Sequence, residues 1–115
     1  MAIDKSLLSS STAMLILKLL EEKDMYGYQM IETLAARSDN TFSLKAGTLY
    51  PLLHDLEKKG LVRSYDSNND TARVRRYYSI TSKGKAVLSQ KKTEWQTYSS
   101  AVDRVLKGGA EFAAV

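Results

Sequence analysis

Few side chains in this sequence could do covalent chemistry. His54 is the single histidine and cysteine is absent. No set of nucleophile, base and orienting group can be assembled. There is also no phosphate-binding glycine loop and no cluster of metal-ligating residues. Neither catalysis nor any metal or other cofactor is therefore expected. A different chemistry suits the groups that are present. LKAGTLYPLLHDLEKKGLV at 44–62 and RVRRYYSI at 73–80 carry hydroxyls, ammonium groups and guanidinium groups at regular spacing. Such groups can hold phosphates and reach base edges.

The charge distribution points the same way. Residues 44–92 hold eleven Lys and Arg against four Asp and Glu, a net +7. The rest of the chain holds six against nine, a net −3, which gives the overall +4. A cationic half beside a mildly acidic one fits a polyanionic partner, and a solvated basic face is the plain alternative.

Placing Leu49 at zero on a helical wheel clusters Leu52, Leu53 and Leu56 around it. Gly47, Tyr50, Pro51, His54 and Lys58 spread over the opposite side, with Thr48 and Asp55 at the margin. A helix that starts with small and hydrogen-bonding residues, without dense charge, suits entry into the DNA major groove. Gly47 would allow close backbone approach, Thr48 can donate, and Tyr50 offers a hydroxyl on a stiff arm. Pro51 lacks an N–H and disfavours a helical Tyr50, so the expectation is an irregular first turn or a late start.

The elements that must carry these groups follow from periodicity. Asp4 is a good N-cap for a helix to about 22, with one apolar stripe at 13, 16, 17 and 20 and a second at 8, 15 and 19. A second helix follows Gly27, with Tyr28, Ile31, Leu34 and Ala35 as its apolar side and SDNT as its end. Gly60 closes the third helix, with Lys58 and Lys59 in its last turn. LVRSYD and VRRYYSI flank the turn signal SNNDTA and predict a β-hairpin over 61–80. In its second strand Val74, Tyr78 and Ile80 share one side and Arg75 and Tyr77 the other. Arg76 falls on the apolar side, so it belongs near an exposed tip or at a bulge. Thr81 caps a last helix with apolar marks at 88, 95, 98, 102, 105 and 106, stopped by Gly108 and Gly109, and AEFAAV is a loose tail.

The fold class expected is mainly α with a small β-hairpin, a winged helix-turn-helix plus a long C-terminal dimerisation helix. Residues 1–80 form the winged-helix domain, with its N-terminal helix shared with a dimer interface. Residues 81–107 form the dimerisation helix and 108–115 a flexible tail. The wing arginines Arg73, Arg75 and Arg76 would touch backbone or enter the minor groove, with Lys45, Lys58, Lys59 and Arg63 as further phosphate contacts. The longest apolar stretch, AMLIL at 13–17, is too short to span a bilayer, and the N-terminus lacks signal-peptide character. The absence of cysteine fits a reducing cytoplasm, where the chain is expected.

MYGYQMIE, AGTLYPLLHDLEKKGLV, RVRRYYSIT and the following KG resemble the PadR family of bacterial transcriptional regulators, over about residues 12–90 in matching order. The length resembles the short subgroup with a single C-terminal helix. The resemblance implies a winged-helix repressor that dimerises through its first and last helices on a pseudo-palindromic operator. It also implies that the chain could sense phenolic acids, drugs or other aromatic molecules, as members of the family do. By position, Thr48, Tyr50 and Pro51 match the recognition-helix motif, Gly27 and Tyr28 the second-helix motif, and Arg75, Arg76, Tyr77 and Tyr78 the wing.

Trp95 is the only tryptophan, with Tyr98 one turn on. Core packing accounts for it. In a dimer, however, one Trp from each subunit could stack on a planar aromatic ligand, with Ser9, Thr12, Ala13 and Val102 lining the same space. The residues assigned to dimerisation are Leu8, Ile16, Leu88, Trp95, Tyr98, Val102, Val105 and Leu106. Two alternatives stay open: a DNA-binding regulator without a small-molecule effector, and a winged-helix module for protein–protein contact, which the wing arginines disfavour.

Overall fold

The computed structural model describes residues 3–67 and 73–108. Helix α1 (Lys5–Glu22) starts as the sequence requires, with the Asp4 carboxylate accepting from the Ser6 N–H at 2.9 Å. Being apolar on most sides, α1 is central: Ile16, Leu17, Leu19 and Leu20 are all buried in one core. A strand too short to show periodicity, β1 (Met25–Tyr26), follows. Helix α2 (Gly27–Arg37) buries Met30 and Leu34. Tyr28 points outward at 64 % exposed, which corrects its expected place on the apolar side. Six residues of helix put Tyr28 about 120° from Leu34, whereas Met30 lies only about 40° away. In the link to the next helix, Asp39 and Asn40 take left-handed φ of 51° and 64°, where Asp and Asn are among the least penalised non-glycine residues.

Helix α3 (Ala46–Lys58) neither starts late nor breaks at Pro51. Thr48 and Leu49 both donate backbone N–H groups to the Lys45 carbonyl, at 2.9 and 3.0 Å. The expected irregularity is overruled because the proline φ is itself helical, and the leucine stripe holds both sides of Pro51 to the core. The lost hydrogen bond is the one to the Gly47 carbonyl. Both residues are exposed, so water can satisfy that oxygen. At the other end Gly60, at φ 76°, is the C′ residue of a Schellman turn. Gly60 N–H donates to Glu57 at 2.9 Å and Leu61 N–H to Leu56 at 2.9 Å.

Strands β2 (Val62–Ser67) and β3 (Arg75–Ile80) form the hairpin, and β1 pairs with the far edge of β3, giving an antiparallel sheet of order β1-β3-β2. Most of the SNNDTA turn lies outside the described residues. Tyr78 is buried, while Val74 is 59 % exposed and does not join it on the core side, because it precedes the paired residues. Arg76 is exposed opposite Asp66 near the tip, the position its alternation demanded.

Helix α4 (Ser82–Lys107) is capped by Thr81, whose hydroxyl accepts from Gly84 N–H at 3.0 Å. Leu88 is fully buried, and beyond it the 26-residue helix leaves the body of the fold. The radius of gyration is therefore 17.4 Å, against about 13 Å for a compact domain of this length. Gly108 is the C-cap; Gly109 and AEFAAV lie outside the described residues. Among the described residues no helix is long and apolar enough to cross a membrane.

Two glycines hold α4 in place. A Cβ on Gly84 would stand 2.1 Å from the Leu61 carbonyl oxygen, and Gly60 needs its positive φ. Gly84→Ala should destabilise the protein by about 1–3 kcal/mol through overpacking, and Gly60→Ala by about 1–2 kcal/mol through backbone strain. Urea unfolding followed by circular dichroism measures both, and an unchanged midpoint for Gly84→Ala would contradict the packing.

Candidate nucleic-acid interface and interhelical cleft

The leucine stripe of α3 fixes which way its other residues face. Leu49, Leu53 and Leu56 are buried, and Gly47, Thr48, Tyr50, Pro51, His54 and Lys58 lie on the exposed surface. Nothing stands within 4 Å of a Cβ built on Gly47, so this face is open at the backbone itself. Tyr50 is a partial exception at 41 % exposed, because its ring is seated on α2. A Cβ on Gly27 would meet the Tyr50 hydroxyl at 2.3 Å and its ring carbon at 2.7 Å. Gly27 thus leaves room for the tip of the Tyr50 ring against the start of α2. Lys45 flanks the start of the helix and Lys58 its last turn, while Lys59 is drawn to Asp55 at 2.9 Å.

The hairpin adds cations of unequal freedom. Arg63 is exposed on β2, and Arg73 is exposed just before β3. Arg76 pairs with Asp66 at 3.6 Å, with both side chains about 60 % exposed, a geometry that contributes little. Arg75 is half-buried: its Nη1 donates to the Tyr26 hydroxyl at 3.1 Å, and its Cζ lies 4.5 Å from the centre of the Tyr26 ring. Tyr77 does not project freely. It stacks on Tyr65 (centroids 5.8 Å, planes 16° apart) and meets Tyr26 edge-on (5.5 Å, 76°). Tyr65 donates to the Asp24 carboxylate at 2.6 Å, and that bond, then burial, raises its hydroxyl above the ordinary phenol range. Between hairpin and α2 lies a cleft of about 440 Å³ lined by Tyr26, Tyr28, Arg73, Val74 and Arg75. Tyr28 and the wing residues, distant in sequence, are brought together here. Asp24, Tyr26 and Tyr65 were missed because no spacing rule links them; only Tyr26 lies in the MYGYQ cluster.

A second cleft, of about 280 Å³, opens between α1 and α4. Leu7, Ser10, Ser11 and Met14 line one wall, and Lys91, Glu94, Trp95 and Tyr98 the other. Trp95 and Tyr98 are where the sequence put them, 42 % and 62 % exposed, with rings 6.2 Å apart. The α1 wall is different from expectation. The Ser9 hydroxyl is turned to the Ser6 carbonyl, and buried Thr12 donates to the Leu8 carbonyl at 2.9 Å. Ala13 packs on the core. With apolar stripes on two sides, the wheel alone could not choose the phase of α1. A seam at 7, 10, 11 and 14 would have found it. Val102 lies farther along, in an apolar groove of about 320 Å³ with Tyr98, Ala101, Val105 and Leu106.

Two residues assigned to a subunit interface lie elsewhere. Ile16 and Leu88 are both 0 % exposed inside the chain's own core, so neither surface is available to another subunit. Leu88 precedes the point where α4 leaves the body, and the same periodicity runs from buried core to exposed surface along one helix. Leu8 is half-buried, whereas Val102, Val105 and Leu106 are exposed at 37, 78 and 79 %.

Comparison with known proteins agrees with this arrangement. The transcriptional regulator PadR-like family matches residues 16–90. A transcriptional regulator from Clostridium thermocellum superposes with a TM-score of 0.81 at 30 % identity, over 89 % of this chain and 96 % of that one. A PadR family transcriptional regulator from Eggerthella lenta gives 0.78 at 33 % identity, over 90 % and 88 %. An uncharacterized protein of Lysinibacillus sphaericus is 38 % identical over 94 residues, covering 82 % of this chain and 86 % of its own. The two solved structures share this fold, and this chain belongs to the PadR-like family of transcriptional regulators.

Proposed function

We propose that the protein is a homodimeric, sequence-specific repressor whose α3 enters the major groove and whose wing grips the flanking backbone, and that a planar aromatic ligand releases it. The observation that carries the DNA reading is the outward face of α3. Gly47, Thr48 and His54 are exposed above three buried leucines, with open space over Gly47. A dimer would place two such helices about 34 Å apart on a pseudo-palindrome. Dimerisation is supported by the seam of Tyr98, Val102, Val105 and Leu106, a contiguous and exposed apolar face on the second half of α4. The ligand reading is supported by the cleft where Trp95 and Tyr98 face Leu7 and Met14, beside the polar groups of Ser10, Ser11, Lys91 and Glu94.

Selection of bound duplexes from a random pool by the full-length protein should recover a two-fold symmetric site. Binding to it should weaken with salt at a slope of about −0.9 per phosphate held. Recovery of no preferred sequence would remove the specific-repressor reading. Gly47→Ala separates fold from recognition: stability should rise by up to about 1 kcal/mol, while affinity for the selected site falls about tenfold, the scale of one lost specific contact.

Sedimentation should give a dimer for the wild type, and Val105→Glu with Leu106→Glu should convert it to monomer with loss of binding to the symmetric site. Titration with planar aromatic cations and phenolic acids should quench Trp95 fluorescence and weaken DNA binding together. A flat response across such a panel assigns Trp95 to packing alone.

A further inference from the structure

We propose that Tyr26 is a positioning residue for DNA contact by the wing, holding Arg75 in place through its ring and hydroxyl. The inference rests on the DNA-binding reading above and adds to it a residue that touches neither groove in its own right.

The sheet register gives this arginine a defined seat. Tyr26 is in register with Tyr77, so Arg75, two residues away on β3, lies diagonally beside Tyr26 on the same face of the sheet. Its guanidinium is 4.5 Å from the ring centre and spends one donor on the Tyr26 hydroxyl at 3.1 Å. A guanidinium has five N–H donors in a planar fork, so the others remain for a phosphate. An arginine already localised loses less side-chain freedom on binding than one swinging in solvent. Arg76 is placed differently: it meets Asp66 in a 3.6 Å pair at the exposed tip and also acts on the Tyr78 hydroxyl.

Tyr26 is itself fixed from two directions. Its N–H donates to Gln29 Oε1 at 3.2 Å, which ties it to the first turn of α2. On the sheet it begins a row, Tyr26–Tyr77–Tyr65, that ends in the Tyr65–Asp24 hydrogen bond. Both ends of the row thus return to residues 24–26, the segment leading into α2. The attitude of Arg75 is thereby referred to the helix on which the Tyr50 ring is seated through Gly27. The cleft of about 440 Å³ beside Arg75 and Tyr28 leaves room for a phosphodiester at that spot.

The test uses full-length Y26F, Y26L, R75A and the Y26L/R75A double variant, measured against a duplex selected by the wild type. Y26L should bind about 2- to 10-fold more weakly and Y26F less so, the range of a cation–π contact. R75A should lose about tenfold, and the double variant should be no weaker than R75A alone, because Tyr26 acts through that arginine. Losses that multiply in the double variant would assign Tyr26 to general packing and overturn the proposal. A wild type with no sequence preference would instead sink the DNA reading, whereas wild-type binding that Y26L leaves unchanged sinks only this inference. A readout free of DNA guards against a misfolded Y26L. The Arg75 side-chain protons should be shifted upfield by the ring in wild type and Y26F by NMR, and unshifted protons in the wild type would refute the placement.

Discussion

The geometry of this protein turns on one crowded junction, where the end of α3 and the start of α4 are tied through Thr81. The Thr81 hydroxyl donates to the Gly60 carbonyl at 2.7 Å and accepts from Gly84 N–H at 3.0 Å, while its own N–H donates to the Leu61 carbonyl at 3.0 Å. Lys83 adds a hydrogen bond to the Lys59 carbonyl at 3.0 Å. Helix ends leave carbonyls and N–H groups unpaired, and here Thr81 satisfies an N–H of the first turn of α4 and carbonyls just past the end of α3. Glycine at 84 is what permits the approach, and glycine at 60 is what turns the chain into β2. The direction in which α4 leaves the body is therefore set by backbone contacts a few residues from α3. The relation between α3 and α4 is fixed locally, not through the length of the fold.

How legible this was in the sequence depended on how many directions each segment faces. α3 faces two ways, so its wheel sorted the core leucines from the exposed residues, and the Gly60 stop could be read outright. The two ends of α4 were equally plain, as Thr81 and Gly108 carry their own signals. α1 has apolar residues on most sides, so no wheel could tell which stripe meets α4, and the cleft was placed against Ser9, Thr12 and Ala13 rather than Ser10, Ser11 and Met14. Leu88 belongs to the same periodic series as Val102, yet only the tertiary structure shows that the helix passes from core to solvent between them. β1 is two residues long, and its pairing with β3 has no counterpart in local pattern. Pro51 misled for a simpler reason. Propensity counts the lost hydrogen bond but not the anchoring leucines on either side of it.

The basic half of the chain is less uniform than its net charge of +7 implies. Lys59 and Arg76 are each drawn to a neighbouring carboxylate, and Arg75 is held by an aromatic ring. Lys45, Lys58 and Arg63 form no ion pair with the described residues. Surface pairs of this kind contribute little stability, and they are readily exchanged for phosphates. Long-range attraction thus comes from the whole set, whereas orientation comes from the few groups that are already placed. Tyr50 belongs with the placed ones, as it is seated on Gly27 and yet partly exposed.

On the proposed reading, the cleft and the reader helix are coupled through α1. Leu7, Ser10, Ser11 and Met14 form one wall of the cleft, and a few residues on, Ile16, Leu17 and Leu20 enter the same core as Leu49 and Leu53 of α3. The near end of α4 cannot yield, because the Thr81 junction and Leu88 anchor it. The far end lies beyond that anchor and is mostly exposed. A ring inserted beside Trp95 would therefore act on the outer part of α4, the part carrying Val102, Val105 and Leu106. In a dimer joined by that part, a small change of angle alters the separation of the two α3 helices while leaving each winged helix intact. Release would then come from a mismatch with the operator spacing, with no disruption of either recognition surface.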